Sequence, residues 1–229
     1  MNCLLVAATS LEIGPFLENY RTGEKTGLDV LVSGIGMTAA TWSLAKQTSI
    51  KKPDMVIQAG IAGCFDKNIP LGSVVVIKQD TFADQSVIEN KQLMTMFDLD
   101  LIKPNQFPFH RGWLVNPHKN LMKNTKLKTA NAISVNHIST DKRMIALYKK
   151  KFNATVESME GAALHYVCLM EKIPFLQLRS VSNYIGERDK KKWKMKEAID
   201  NLNAVLIYLT SSLTSTLTST LSSTLHSKL

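Results

Sequence analysis

At 229 residues and 45% hydrophobic content, the chain can bury one substantial core, so a single domain is expected. No apolar run reaches the roughly 18 residues of a spanning helix, and Met1-Asn2-Cys3-Leu4 lacks the basic start of a secretory signal; no membrane association and a cytoplasmic location are expected. The net charge of +9 raises a nucleic-acid partner, but Lys149-Lys150-Lys151 and Lys190-Lys191-Lys192 are short clusters without interleaved aromatic residues, so they read as solvated faces and no nucleic-acid partner is expected.

In chain order, residues 4–8, 29–33, 55–59, 73–77 and 175–181 are short apolar or alternating runs bounded mostly by Gly, Pro or polar residues, and these predict strands. Helical patterns lie between them, over 38–49, opened by Thr38 as a cap, and over 160–171, stopped by Pro174. This alternation predicts an α/β fold with a parallel or mixed sheet. Residues 84–133 have the weakest periodicity and hold Pro104, Pro108 and Pro117, so a loop-rich excursion that covers a site or a subunit contact is expected there. Met195, Ala198, Ile199, Leu202, Val205, Leu206 and Leu209 make one buried helical stripe. From 209 to 229 leucines recur every four residues among Ser and Thr, a low-complexity tail expected to be frayed, with residues 1–208 as the folded domain. Cys3, Cys64 and Cys168 are scattered and odd in number, which reads as small buried hydrophobes and offers no metal site.

Four segments put polar or small residues where strands end, the place where open α/β sheets hold ligands. Ala7-Ala8-Thr9-Ser10-Leu11-Glu12 is a small-residue turn carrying a carboxylate. Gln58-Ala59-Gly60-Ile61-Ala62-Gly63 follows a strand, as Ser33-Gly34-Ile35-Gly36 does earlier; neither completes a dinucleotide or phosphate-loop fingerprint. Glu157-Ser158-Met159-Glu160-Gly161-Ala162-Ala163 is an acidic pair opening a small-residue helix, and Arg179-Ser180-Val181-Ser182-Asn183 leaves a strand through a natural Asn turn. Each alone has a plain structural meaning, a helix start that favours negative charge or a glycine turn.

Taken together and in order, these segments resemble the nucleoside phosphorylase and nucleosidase superfamily over residues 1–208. Phe82-Ala83-Asp84, Phe107-Pro108-Phe109, Gly112-Trp113-Leu114-Val115-Asn116-Pro117 and Ser182-Asn183-Tyr184-Ile185-Gly186-Glu187-Arg188-Asp189 are similar to the futalosine hydrolases of menaquinone biosynthesis, which are related to the methylthioadenosine/S-adenosylhomocysteine nucleosidases. The resemblance implies a three-layer sandwich with a central mixed sheet flanked by helices, no cofactor or metal, and dimers or larger homo-oligomers. It also implies hydrolysis of the N-glycosidic bond of futalosine, releasing hypoxanthine and dehypoxanthinylfutalosine.

On that resemblance Glu12 is the general base toward water, Glu160 accepts the ribose hydroxyls with Met159 beneath the sugar, and Ala62 and Gly63 belong to the substrate-binding wall. A carboxylate near the ribose favours the cationic sugar of the transition state. Asn183 stands where adenine-specific relatives carry Asp; its amide can donate to O6 or N7 of a 6-oxopurine but cannot protonate N7. Ile61 replaces a Ser of the methylthioadenosine nucleosidases, so backbone amides or other groups must substitute there. Ser139-Thr140-Asp141 resembles a segment near the base, and Arg143, Arg111 and His110 are candidates for the cation that a carboxylated substrate arm needs. The alternatives are an adenine-type nucleosidase, a purine nucleoside phosphorylase, and a non-enzymatic protein that holds nucleosides or nucleic acid. A phosphorylase needs a basic cradle for phosphate, whereas residues 7–12 offer a carboxylate that repels it.

Overall fold

The first strand, β1 (Cys3–Ala7), is buried along its whole length, and its side chains alternate between two cores. Cys3, Leu5 and Ala7 face Ile13 and Phe16 near α1 (Gly14–Arg21), Met122 of α3 (Lys119–Asn124), and Leu202 and Leu206 of α6 (Met195–His226). Leu4 and Val6 face Leu44 of α2 (Met37–Ile50) and Leu164, Val167 and Cys168 of α5 (Gly161–Met170). Helices thus cover both faces of a mixed sheet, the expected three-layer sandwich. The computed structural model describes residues 2–21 and 27–226, with side chains described for 2–20 and 27–211.

The remaining strands are β2 (Leu28–Val32), β3 (Met55–Cys64), β4 (Val74–Asp80), β5 (Ser86–Glu89), β6 (Gln92–Thr95), β7 (Leu114–Val115), β8 (Lys128–Ser134), β9 (Val156–Ser158) and β10 (Phe175–Tyr184), with α4 (Lys142–Phe152) between β8 and β9. The large sheet runs β10-β4-β8-β9-β3-β1-β2, and β10 also pairs with β3, so β3, β10, β4, β8 and β9 close on themselves. β1 and β2 extend in parallel from that ring. Curling brings the ends of β3, β9 and β10 to one place, and the loop after β1 reaches the same spot.

Several expectations change here. Residues 84–133 are loop-rich as expected, and they also carry regular elements: β5 and β6 form a hairpin turned by Asn90 and Lys91, both at positive φ, and β8 joins the ring. α2 starts at Met37 with Gly36 as its cap and no side-chain capping bond, so Thr38 does not cap it. α6 continues in its backbone through the leucine repeat to His226, where fraying was expected. All three cysteines are buried and unpaired. Among the described residues no helix is long and apolar enough to cross a membrane.

Candidate active site

Glu12 lies in the turn between β1 and α1, two residues before the helix begins, so it does not serve as a helix-start charge. Its Oε1 accepts the Ile61 backbone N–H at 3.0 Å, and its Oε2 accepts the Thr9 N–H at 3.1 Å and the Thr9 hydroxyl at 3.3 Å. The carboxylate is only 8% exposed. Its loop is pinned from α6: the buried Asn203 donates to the Glu12 carbonyl at 2.9 Å and accepts the Phe16 N–H at 2.9 Å.

The segment Gly60-Ile61-Ala62-Gly63 is not a turn; it is the second half of β3. Its glycines serve close approach rather than φ freedom, because a Cβ on Gly60 would meet the Arg179 guanidinium and the Glu12 carboxylate, and one on Gly63 would lie 2.8 Å from Ile185. Gly34 and Gly36, at φ +85 and +88, are the true glycine turn. The Gly36 N–H donates to Glu160 Oε1 at 2.9 Å. Glu160 precedes α5 but makes no capping bond with it; it reaches across to the start of α2 instead. Burial pushes the Glu160 carboxyl above its ordinary range, Arg179 and the Gly36 N–H pull it down, and Glu12 pushes it up again.

Arg179 is the residue that sequence reasoning quoted without a role. It is 1% exposed in the middle of β10, its Nη1 lies 3.7 Å from Glu160 Oε2, and its Nη2 donates to Gln58 Oε1 at 2.9 Å. A guanidinium inside an apolar strand must be paired, and that rule was the available signal. Its charge is committed to Glu160, and Gln58 takes one of its N–H groups.

Asn183 belongs to β10, which runs on to Tyr184, so the expected turn at Ser182-Asn183 is instead a register shift in a strand. Val181 pairs with Ala62 and Asn183 with Gly63, leaving Ser182 as the extra residue of a bulge. Bulges re-aim side chains beside sites. The Ser182 hydroxyl lies 3.3 Å from the Ala62 carbonyl and 2.9 Å from Asn183 Oδ1, toward which it donates, and one amide N–H of Asn183 donates to the Tyr184 carbonyl at 3.2 Å. The second amide N–H is left for a ligand.

Glu12, Ala62, Gly63, Met159, Glu160 and Asn183 all line one cavity of about 340 Å³, the size class of a small-molecule site. Ser139, from the segment that resembles one near the base, and Glu157, which had no role in the sequence analysis, line it too. A wider groove of about 1220 Å³ meets it at Ile138 and Ser139. Of the cation candidates, Arg143 lines the groove, while Arg111 and His110 line neither space. The cavity wall carries Arg188 instead, 5.9 Å from the centre of the Trp193 ring. Two carboxylates from separate elements, an aimed carboxamide and an apolar floor can stabilise a cationic sugar, activate water and hold a polar heterocycle.

The family model described as the phosphorylase superfamily matches residues 6–215. A futalosine hydrolase of Thermus thermophilus is 29% identical over 209 residues, covering 87% of this chain and 91% of that protein. A 5'-methylthioadenosine/S-adenosylhomocysteine nucleosidase of Psychromonas ingrahamii is 27% identical over 198 residues, 82% of each chain. The native structure of a futalosine hydrolase from Helicobacter pylori superposes with a TM-score of 0.72 at 18% identity, covering 93% of this chain and 98% of that one, a likeness of fold. This chain belongs to the phosphorylase superfamily.

Proposed function

We propose that the chain is a purine nucleosidase of the futalosine hydrolase type, transferring the ribosyl group of futalosine to water and releasing hypoxanthine and dehypoxanthinylfutalosine. The observation that carries the reading is the pair of buried carboxylates, Glu12 and Glu160, on one nucleoside-sized cavity, with the buried Arg179 committed to Glu160 and Gln58. The futalosine hydrolases among its relatives support the substrate.

As the glycosidic bond lengthens, positive charge grows on the ribose and negative charge on the base. Glu160 accepts the ribose hydroxyls and its charge stabilises the cationic sugar, with Met159 beneath the ring and the β3 wall at Ala62 and Gly63 closing the side. Glu12 takes a proton from the attacking water. The free amide N–H of Asn183 donates to O6 or N7 of the leaving purine. The chain acts as a homodimer or larger homo-oligomer, a reading supported by Leu11 and Ile35, which line the cavity yet are 68% and 63% exposed, beside Trp42 at 64%; sedimentation as a monomer counts against it.

The test is chromatographic release of free base from futalosine, inosine and methylthioadenosine, with and without phosphate. Hypoxanthine released from futalosine in phosphate-free buffer is the expected result. A strict phosphate requirement, or no turnover of any purine nucleoside, sinks the reading.

A further inference from the structure

A hypoxanthine anion is a poor leaving group at neutral pH, so its departure needs a proton at N7, and the carboxamide of Asn183 cannot give one. Glu12 and Glu160 are occupied at the sugar on the reading above, on which this inference rests. Two acids remain on the cavity wall: Glu187, which is paired with Lys192 at 2.9 Å, and the buried Glu157, 4% exposed and carried on β9. It is coupled to Ser139, 7% exposed on the same wall: the Ser139 N–H donates to Glu157 Oε1 at 2.9 Å, and the Ser139 hydroxyl pairs with Glu157 Oε2. A hydroxyl is both donor and acceptor and rotates freely, so it can pass a proton that it does not itself hold as an acid.

We propose that Ser139 is the acid for the leaving purine, relaying to N7 a proton that Glu157 supplies, with the spare N–H of Asn183 donating to O6. In the step, the O–H of the Glu157 carboxylic acid breaks as a new O–H forms on Ser139 Oγ. The original Ser139 O–H breaks as the N7–H bond forms, and the electron pair of the glycosidic bond stays with the base. Glu157 is left as a carboxylate while Glu12 carries the proton taken from water. Product release and exchange with solvent return one proton to Glu157 and remove one from Glu12, so the cycle consumes only water.

The surroundings suit an acid. Burial pushes the Glu157 carboxyl above its ordinary range, the two Ser139 donors pull it down, Asp84 pushes it up and His137 pulls it down; Tyr148 of α4 also lies within electrostatic reach. Asp84 follows the isolated bridge at Phe82, and His137 lies in the loop after β8, so both charges sit on elements that the catalytic steps at the sugar leave alone.

The experiment compares futalosine with an analogue bearing the same 5′ arm but 4-nitrophenol in place of the base, a group that leaves without protonation. In Glu157→Gln and in Ser139→Ala, the ratio of futalosine turnover to nitrophenyl turnover is expected to fall about 100-fold or more, the usual worth of a general acid. The wild-type kcat for futalosine should also fall on the alkaline side, as Glu157 loses its proton, with a limb that Glu157→Gln lacks. Equal losses on both compounds, or loss on neither, overturn the relay and give the pair a structural part only. If the nitrophenyl analogue is not turned over, the limb decides, and its persistence in Glu157→Gln overturns the relay. Wild-type protein that cleaves neither compound overturns the nucleosidase reading itself, a separate failure.

Discussion

In the proposed reaction Glu12 can take a proton only while it is ionised and aimed, and three donors from Ile61 and Thr9 hold its two oxygens. An amide in its place turns an N–H toward another N–H and cannot take a proton. Glu12→Gln is therefore expected to lower kcat for futalosine by about 10² to 10⁴, while calorimetry still detects substrate binding; turnover within threefold of wild type removes Glu12 from the chemistry. Asn183 makes a different kind of choice. Its spare N–H suits the acceptor O6 or N7 of hypoxanthine, whereas an aspartate in the bulge can donate to N7 when protonated and accept a 6-amino group with its other oxygen. Asn183→Asp should shift the ratio of kcat/KM for 6-oxo over 6-amino nucleosides by about tenfold, the worth of one hydrogen bond near 1.4 kcal/mol. An unchanged ratio assigns base reading to another residue.

Elements explain what could be foreseen from the chain and what could not. Strands at 4–8 and 29–33 match β1 and β2 within one residue, because apolar runs bounded by turn residues carry their own signal. Short motifs point to residues that line one cavity, yet they do not give the local setting: Gly60 to Gly63 and Ser182-Asn183 are strand, since glycine and asparagine carry the same local signal in a turn as in a bulge or a close crossing. β8 and β9, rich in Ala, Asn, Ser and Glu, are strands only because the closed ring supplies partners on both sides, and no local pattern announces that. Arg179 became visible as a site residue only when the crossing of β3 and β10 set Gly60 beneath it. That crossing has a consequence of its own. In Gly60→Ala the new methyl would push between the Arg179 guanidinium and Glu12 Oε1, the latter 2.9 Å away, so the base moves by a fraction of an ångström. Such displacements cost up to about 100-fold in rate; kcat is expected to drop by at least tenfold, and a variant with wild-type kcat would show that the Glu12 position is not set by this contact.

At the scale of the whole molecule, the mixed sheet holds a buried polar core beneath α5 that lines neither the cavity nor the groove. Asp80, His165 and Gln177 are fully buried, and Gly161 packs against Gln177 and Asp80 so closely that no side chain fits there. Asp80 accepts from Thr81, Ser134 and Gln177, and burial still pushes it up to about 6 from 3.8. Burial pushes His165 the other way, down to about 4 from 6.5, with its Nδ1–H donating to the Leu114 carbonyl at 2.8 Å. An acid whose pKa rises on folding binds more protons folded than unfolded, so stability falls as pH climbs between 3.8 and about 6. A base whose pKa falls on folding binds fewer, so stability rises as pH climbs between about 4 and 6.5. Each limb is worth about 3 kcal/mol at 1.36 kcal/mol per unit, and across about pH 4 to 6 they offset one another. Asp80→Asn keeps the shape and removes only the falling limb. The new amide N–H can be taken by Gln177 Oε1, which has no partner in the wild type, and the turned Gln177 amide then donates to His165 Nε2, also unpartnered. Urea unfolding should therefore show the stability difference, Asp80→Asn minus wild type, growing by about 2 kcal/mol from pH 4 to pH 6.5. A difference that stays constant with pH would mean that Asp80 is ionised alike in the folded and unfolded chain, and that the network carries no buried proton.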